Sequence, residues 1–514
     1  MSMNLPDWIK LSQITYYLMC AQERTGFQFD REKAEALLST IESKMSEIES
    51  VVEPQLPPRA LKQAELASIT FPAKPYKKDG TFSHYMMLFL ERHNGSVLDQ
   101  HTVEFYSKLY TIVGGGQLDT TLPMKLSNQS DLKEWFLEQG WKPTLWNYKK
   151  DANGKFVREK GKLVPTTPKI QDKGKLCPGL IGLNNDIAKQ AVTWLSYRNR
   201  AAVLTGFLEH PRLQKDGRLP AGAIGLTNTH RQKHTVVVNI PRAEEGVLLG
   251  REFRELFCAS KGNVLVGFDA AALEARMEAH YTYKYDNGKH AEILLDGDIH
   301  NTNTQIFFPN ETGRYDILSE DFNKDDPGFK PYRSRSKNGK YALSYGCSPS
   351  KLASTLGCPP SMGQSLYDTF WMKNPALKQL RDNVTQFWET KGESQWIPGL
   401  DGRRIYTRAS HSLVNALFQS AGAICMDWAG AYIDEVLGGL KRTSDGIPCY
   451  QKGDYIIKRV GYFHDEYIFE CHPDIADKVG KLGCKAIKKA GENFKLKVSL
   501  DSDYKIGYSW AEIH

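Results

Sequence analysis

The sequence predicts an α+β fold, and three observations carry that prediction. An apolar run from Asn263 to Phe268 ends on Asp269 and passes at once into the helical pattern of Leu273, Met277 and His280. Near the C-terminus, VGYFHDEYIFE (Val460 to Glu470) sets β-forming residues on both sides of His464, Asp465 and Glu466, as in a hairpin or a kinked strand pair. Most other periodic stretches are helical.

The chain has 514 residues, more than one core of about 250–300 residues accommodates, so several lobes are expected. Hydrophobic residues at 41% and charged ones at 25% exclude disordered, collagenous and membrane classes. No apolar run approaches the roughly 20 residues of a membrane helix. MSMNLPDWIK carries an acid and a proline where a signal peptide needs its apolar segment, which predicts a cytoplasmic protein with no membrane partner. Nine cysteines without a C-x-x-C pair argue against a disulfide framework and a zinc ribbon, and are expected to be reduced and mostly buried. The net charge of +7 permits a polyanionic partner without demanding one.

In chain order, Trp8 to Glu23 reads as a helix broken at Thr25–Asp30 (TGFQFD). Asp30 then reads as the N-cap of a long helix with the stripe Leu37, Leu38, Ile41, Met45 and Ile48, ending before Pro54, Pro57 and Pro58. Residues 57–121 read as an inserted subdomain with no strong period beyond short helices, a turn at Asn94-Gly95 and the glycine run Gly114 to Gly116. A helix is expected from Asp131 to Gln139. Lys142 to Lys175, rich in Lys among Gly, Pro and Thr, reads as a mobile basic loop, able to lie along phosphates or simply solvated. Asn185 to Glu209 is helical, and its Arg198 and Arg200 either track a nucleic-acid backbone or are solvated charge. The cluster His230, Arg231, Lys233 and His234 fits no common zinc spacing, which favours nucleic-acid contacts over a metal.

Taken alone, Asp269 reads as a helix cap. The acids at 465 and 466 change that, because carboxylates brought together across a sheet repel unless divalent cations sit between them. Two Mg²⁺ ions, with Mn²⁺ able to substitute, are a recurrent device for nucleotidyl transfer. Between the two segments, Arg333, Lys337, Tyr341 and Tyr345 recur every fourth residue on a helix stopped by Gly346. Cations at one end and aromatics at the other suit a nucleoside triphosphate; an amphipathic helix with a packed Tyr face is the alternative.

A strand-borne Asp with LEAR, then R-x-x-x-K-x-x-x-Y-x-x-x-Y-G, then HDE resembles motifs A, B and C of the family A (DNA polymerase I-like) DNA polymerases. GFQFD, YDNGKHAEILLDGDIH, GLDGRR, NALFQSAGA and the final SWAEIH resemble the phage replicative branch that borrows host thioredoxin. The resemblance covers almost the whole chain from Trp8. It implies a right-hand polymerase fold: a palm-associated segment at 1–27, a thumb at 28–215 holding the insert and the basic loop, palm at 216–272, fingers at 273–416 and palm again at 417–514.

It also implies a template-directed DNA polymerase acting on primer-template DNA and dNTPs. Asp269 and Asp465 would bind both metals with help from the Ala270 carbonyl, and Glu466 would lie close by. Lys337 would serve the chemistry and, with His300 and Arg333, the triphosphate. Tyr341 would stack near the incoming base and sugar, Tyr345 would lie beside the template base, and Glu274 would exclude ribonucleotides. Asn415, Gln419, Arg403, His411 and, as a candidate, Arg231 would contact DNA, with His464 at the primer terminus.

Three departures stand out. Thr229-His230-Arg231 occupies the place of the family's T-G-R. Gly339 interrupts the nucleotide helix, at a cost of about 1 kcal/mol against Ala, and is expected to loosen closure of the fingers. No exonuclease domain precedes Trp8, so the expectation is either a split gene or a fragment, with any proofreading supplied by a separate exonuclease polypeptide, and a processivity factor such as thioredoxin is a possible partner. A single-subunit RNA polymerase is disfavoured by Glu274, and the remaining rival is a catalytically inactive DNA-binding subunit on a polymerase scaffold.

Overall fold

The computed structural model describes residues 7–513, apart from 61–70, 106–107, 114–116, 119–120, 160–161, 173–174, 245, 296–297, 345, 393–394 and 408. The chain divides into two compact units, residues 1–33 with 209–514, and residues 34–208. No helix among the described residues is long and apolar enough to cross a membrane. All nine cysteines are free, four of them buried.

In the first unit, the helix Asp7–Thr25 ends at Gly26, whose φ of +69° suits a residue without Cβ. The strand Phe27–Phe29 that follows pairs with Arg218–Leu219 and Phe257–Cys258. Asp30 Oδ1 accepts from Lys33 N at 3.0 Å, as the N-cap reading expects.

The elements that build the site follow in order. A hairpin joins β1 (Ala223–Leu226) to β2 (Gln232–His234). Strand β3 (Val264–Ala270) leads into α1 (Leu273–Asp286) and α2 (Lys289–Leu295), followed by α3 (Ile299–Phe307), α4 (Lys330–Ser344) and α5 (Pro349–Leu356). Helix α6 (Leu413–Val436) precedes the hairpin of β4 (Tyr455–Phe463) and β5 (Glu466–Cys471), then α7 (Pro473–Asn493) and β6 (Ser502–Gly507). The central sheet has six strands in the order Lys441–Arg442, Pro448–Lys452, β4, β5, β3, β6, with antiparallel neighbours throughout.

Strand β3 is buried from Val264 to Phe268, as its unbroken apolar run predicts for a strand covered on both faces. Val266, Phe268, Tyr467 and Phe469 of the sheet share one core with Leu417, Ala421 and Cys425 of α6 and Ala486 and Ile487 of α7. A Cβ at Gly483 would fall 2.6 Å from the Phe268 ring, so glycine lets α7 settle on the sheet.

The second unit holds most of the helix Arg31–Val52, where Ile41 is buried and Met45 and Ile48 flank a core of Trp135, Phe136, Trp141 and Trp194. Helices Gln129–Glu138 and Asp186–Leu208 lie close to their expected bounds. Two expectations are corrected here. The insert is more than short helices: besides His84–Arg92 it has a four-stranded antiparallel sheet closing on Phe89, Val103, Phe105 and Tyr110. Its strands run two to six residues, too short for a clear period of two. The basic stretch is folded into short antiparallel pairs, Trp146–Tyr148 with Pro165–Pro168 among them, and Lys150 lies 5.2 Å over the Phe156 ring. The glycine run at 114–116 lies outside the described residues.

Candidate active site

Asp269 is the one exposed residue of β3, one position before its end. The cap of α1 is Ala272, in the left-handed region at φ 49° with no side-chain cap bond, so the N-cap reading of Asp269 does not hold. In register, Asp269 lies opposite Glu466 on β5 and Asp503 on β6, and Ala270 N donates to Asp465 O at 3.0 Å. Asp269, Ala270 and Asp465 therefore meet at one sheet edge. The hairpin expected at His464 turns in two residues, His464 at φ 65° and Asp465, between the paired Phe463 and Glu466.

Burial pushes the Asp465 carboxyl upward, and nearby Glu466 and Glu274 push it the same way, while Arg231 opposes them. An acid held upward among other acids gains from a cation. No group of three or more His, Cys, Asp or Glu side chains among the described residues is arranged to hold a metal ion. Mg²⁺ does not require one, since it commonly takes one or two carboxylates and completes its shell with water and substrate phosphates. The oxygen donors of Asp269, Ala270 and Asp465 fit that chemistry.

Glu466 is differently engaged from its neighbour. Its carboxylate accepts from Trp510 Nε1 at 3.1 and 3.3 Å, and the Trp510 ring is stacked on Phe463 at 4.9 Å. This anchors the chain's last turn under the hairpin, a role the bare HDE motif does not disclose.

Helix α4 presents Arg333, Lys337 and Tyr341 along one stripe, with Ser336, Gly339, Lys340 and Leu343 on the buried side. Tyr345 lies outside the described residues. Arg333 donates to Asn301 Oδ1 at 2.8 Å and to Asp298, which is also the N-cap of α3 and accepts from His300 N at 2.9 Å. The His300 ring is 6.0 Å from that of Tyr341. Burial first, then Lys340, Lys337 and Arg333, bring His300 down to about 4, so it is neutral at pH 7. Arg333 and Lys337 thus lie on the exposed stripe beside a neutral imidazole, an arrangement suited to a polyphosphate.

Gly339 has a packing role that helix propensity alone does not show. A Cβ there would lie 2.6 Å from Leu356 Cδ2, so the glycine lets α4 pack closely on α5.

The β1–β2 hairpin reaches the same region. Arg231 Nη2 lies 2.5 Å from Glu274 Oε1, and His230 Nδ1 lies 2.7 Å from Ser420 Oγ on α6. Asn415 and Gln419 lie one turn apart on α6, while His411 is exposed just before it, and a Cβ on Gly346 would clash with the His411 carbonyl oxygen. Arg403 is only 5% exposed and forked onto Asp401 at 2.6–3.0 Å, which makes it a positioning group in this geometry rather than an open DNA contact. Arg198 and Arg200 belong to the second unit, half-buried there, with Arg198 over the Trp194 ring at 5.6 Å. His234, which the sequence placed in a basic cluster, has its ring 5.3 Å from both Phe463 and His464, a neighbourhood the sequence did not show. Sequence reasoning missed the buried cluster of Glu278, His290 and Lys340.

A family model described as DNA polymerase family A matches residues 217–512, more than half of the chain. The chain belongs to DNA polymerase family A. The DNA-directed DNA polymerases of Enterobacteria phage T3 and Escherichia phage T7 are each 29% identical to it over 324 residues, covering 58% of this chain and 42% of theirs. The DNA polymerase I of Lactococcus lactis subsp. lactis (strain IL1403) is 25% identical over 336 residues, covering 62% of this chain and 34% of its own. The chain therefore spans less than half the length of these relatives. Among solved structures, the POL domain of Pol1 from M. smegmatis, in complex with DNA primer-template and dNTP, matches with a TM-score of 0.63 at 16% identity. That match covers 98% of this chain and 70% of the other, and shows the polymerase fold.

Family A polymerases generally use divalent metal ions, in keeping with the oxygen donors at the end of β3. His230, read from the resemblance as standing where the family has glycine, adopts φ 60°. Left-handed backbone costs a residue with Cβ about 1–2 kcal/mol, a cost that glycine avoids. Here the bond to Ser420 offsets part of that cost.

Proposed function

We propose that this chain is a template-directed DNA polymerase that extends a primer 3′-OH with dNTPs. The observation that carries the reading is the convergence of Asp269, Ala270 and Asp465 at one sheet edge, with Glu274 close enough to bear on Asp465. Two Mg²⁺ ions bound by those residues would activate the 3′-OH and neutralise charge on the triphosphate, with Mn²⁺ able to substitute.

The chain's own groups then have distinct tasks. Arg333 and Lys337 bind and orient the triphosphate, and His300, neutral near pH 7, donates a hydrogen bond to it without adding charge. Tyr341 stacks on the incoming nucleotide, and Glu274 crowds the position of a 2′-hydroxyl. His464 meets the primer terminus, while Asn415, Gln419, His411 and Arg231 hold the primer-template. Positioning and charge supply most of the rate enhancement in such transfers. The partners are primer-template DNA and dNTPs, and the setting is the cytoplasm of a host cell in phage DNA replication.

The test is primer extension on a DNA template in Mg²⁺ with all four dNTPs and with each one omitted in turn. Extension that halts at the template base complementary to the omitted dNTP supports the reading. Tight binding of primer-template without extension supports an inactive scaffold instead.

A further inference from the structure

Helix α1 carries two acids one turn apart on the same face, Glu274 and Glu278. Glu274 reaches Arg231, whereas Glu278 turns into the interior and meets the buried side of α4. Its Oε2 lies 2.5 Å from Lys340 Nζ and its Oε1 lies 2.8 Å from His290 Nε2. His290 is fixed in turn by its own backbone N–H, which donates to Asp286 Oδ2 at 2.9 Å. Glu278 is 1% exposed, and Lys340 and His290 are each 6% exposed.

Burial pushes Glu278 upward, but the Lys340 ammonium and the His290 hydrogen bond outweigh it and hold the carboxyl at about 2. The pair is therefore ionic at neutral pH. Buried ion pairs are poor sources of stability, because an apolar pair of similar volume would fill the same space without the desolvation cost. Their directional value is greater: an ion pair with a third hydrogen bond admits one relative placement of the two helices.

That placement matters because Lys340 immediately precedes Tyr341, and Glu278 is one turn from Glu274. Tyr341 and Glu274 are the side chains assigned above to the base and sugar of the incoming nucleotide. We propose that Glu278 and Lys340 form a buried clamp that sets the separation of Glu274 from Tyr341 and so governs sugar selectivity. The inference rests on the polymerase reading and adds two positioning residues to it, neither of which touches the substrate.

The test compares the unmodified chain with the double variant Glu278→Leu/Lys340→Met, which removes both charges together. Thermal melting reports folding, and single-nucleotide insertion gives kcat/KM for a dNTP and for the matching rNTP. The expected result is a melting temperature within a few degrees of the parent and a dNTP-to-rNTP ratio lowered about tenfold. An equal fall for both sugars, or an unchanged ratio, overturns the clamp, since a purely structural role moves both substrates alike. If the double variant does not fold, Lys340→Arg, which keeps the charge on a longer arm, decides by the same ratio. Failure of the unmodified chain to extend with dNTPs removes the polymerase reading and the clamp together; extension with an unaltered ratio removes the clamp alone.

Discussion

Arg231 Nη2 is paired with Glu274 Oε1 at 2.5 Å, joining the β1–β2 hairpin to the first turn of α1. The two side chains are 21% and 31% exposed, and a pair this accessible contributes at most about 1 kcal/mol. Arg231 can therefore exchange Glu274 for nucleic acid at little cost. The arginine that sequence analysis assigned to DNA and the acid it assigned to the sugar are a single unit before substrate arrives.

Replacing Glu274 with Ala is expected to raise ribonucleotide use by about tenfold or more, the value of roughly 1.4 kcal/mol of lost exclusion. Glu274→Gln keeps the bulk and should keep most of the discrimination. Single-nucleotide insertion of matched dNTP and rNTP measures both, and unchanged discrimination in Glu274→Ala contradicts the role.

Tyr341 is 38% exposed beside His300. By resemblance to relatives carrying Tyr at this position, the chain is expected to accept dideoxynucleotides readily. Tyr341→Phe should favour deoxynucleotides by about tenfold, the worth of one hydrogen bond near 1.4 kcal/mol. A termination assay at comparable dideoxy and deoxy concentrations reads this directly, and resistance in the unmodified chain refutes it.

Gly339→Ala sets helix propensity against packing. Propensity favours Ala by about 1 kcal/mol. Contact with Leu356 at 2.6 Å opposes it, and overpacking costs about 1–3 kcal/mol. The variant is expected to be less stable in urea denaturation; a more stable one shows that the α4–α5 contact relaxes freely.

Asp427 on α6 is buried and accepts from Tyr462 Oη at 2.9 Å. Burial pushes its carboxyl up to about 7 despite that bond and the nearby Arg403 and Arg459. The folded state thus holds a proton that the unfolded chain releases near pH 4, so this contribution is complete below about pH 4 and is lost as pH rises to about 7. Asp427→Asn, which accepts the same bond without a charge, should lose less melting temperature than the parent between pH 5 and pH 8. Parallel profiles would show that Asp427 titrates normally.

Legibility followed the range of each signal. The β3 run, the HDE hairpin and the stripe of α4 were readable because each is a local pattern with its own period or turn chemistry. Lys340, Glu278 and Trp510 were not, because their partners lie 62, 62 and 44 residues away, and only the folded chain pairs them. The packing role of Gly339 was hidden for the same reason: propensity is local, while Leu356 arrives from the next helix. His230 is legible in the sequence only as a departure from T-G-R, and its left-handed backbone shows only in the folded chain.

The central claim is that Asp269 and Asp465 hold the ions that drive nucleotide addition. Its most direct test is primer extension in Mg²⁺ by Asp269→Ala and Asp465→Ala, with primer-template binding and melting temperature followed in parallel. The account predicts at least about 10³-fold slower extension in both, with DNA binding and folding kept, because several kcal/mol of charge stabilisation would be lost. Extension near the unmodified rate in either variant would contradict it.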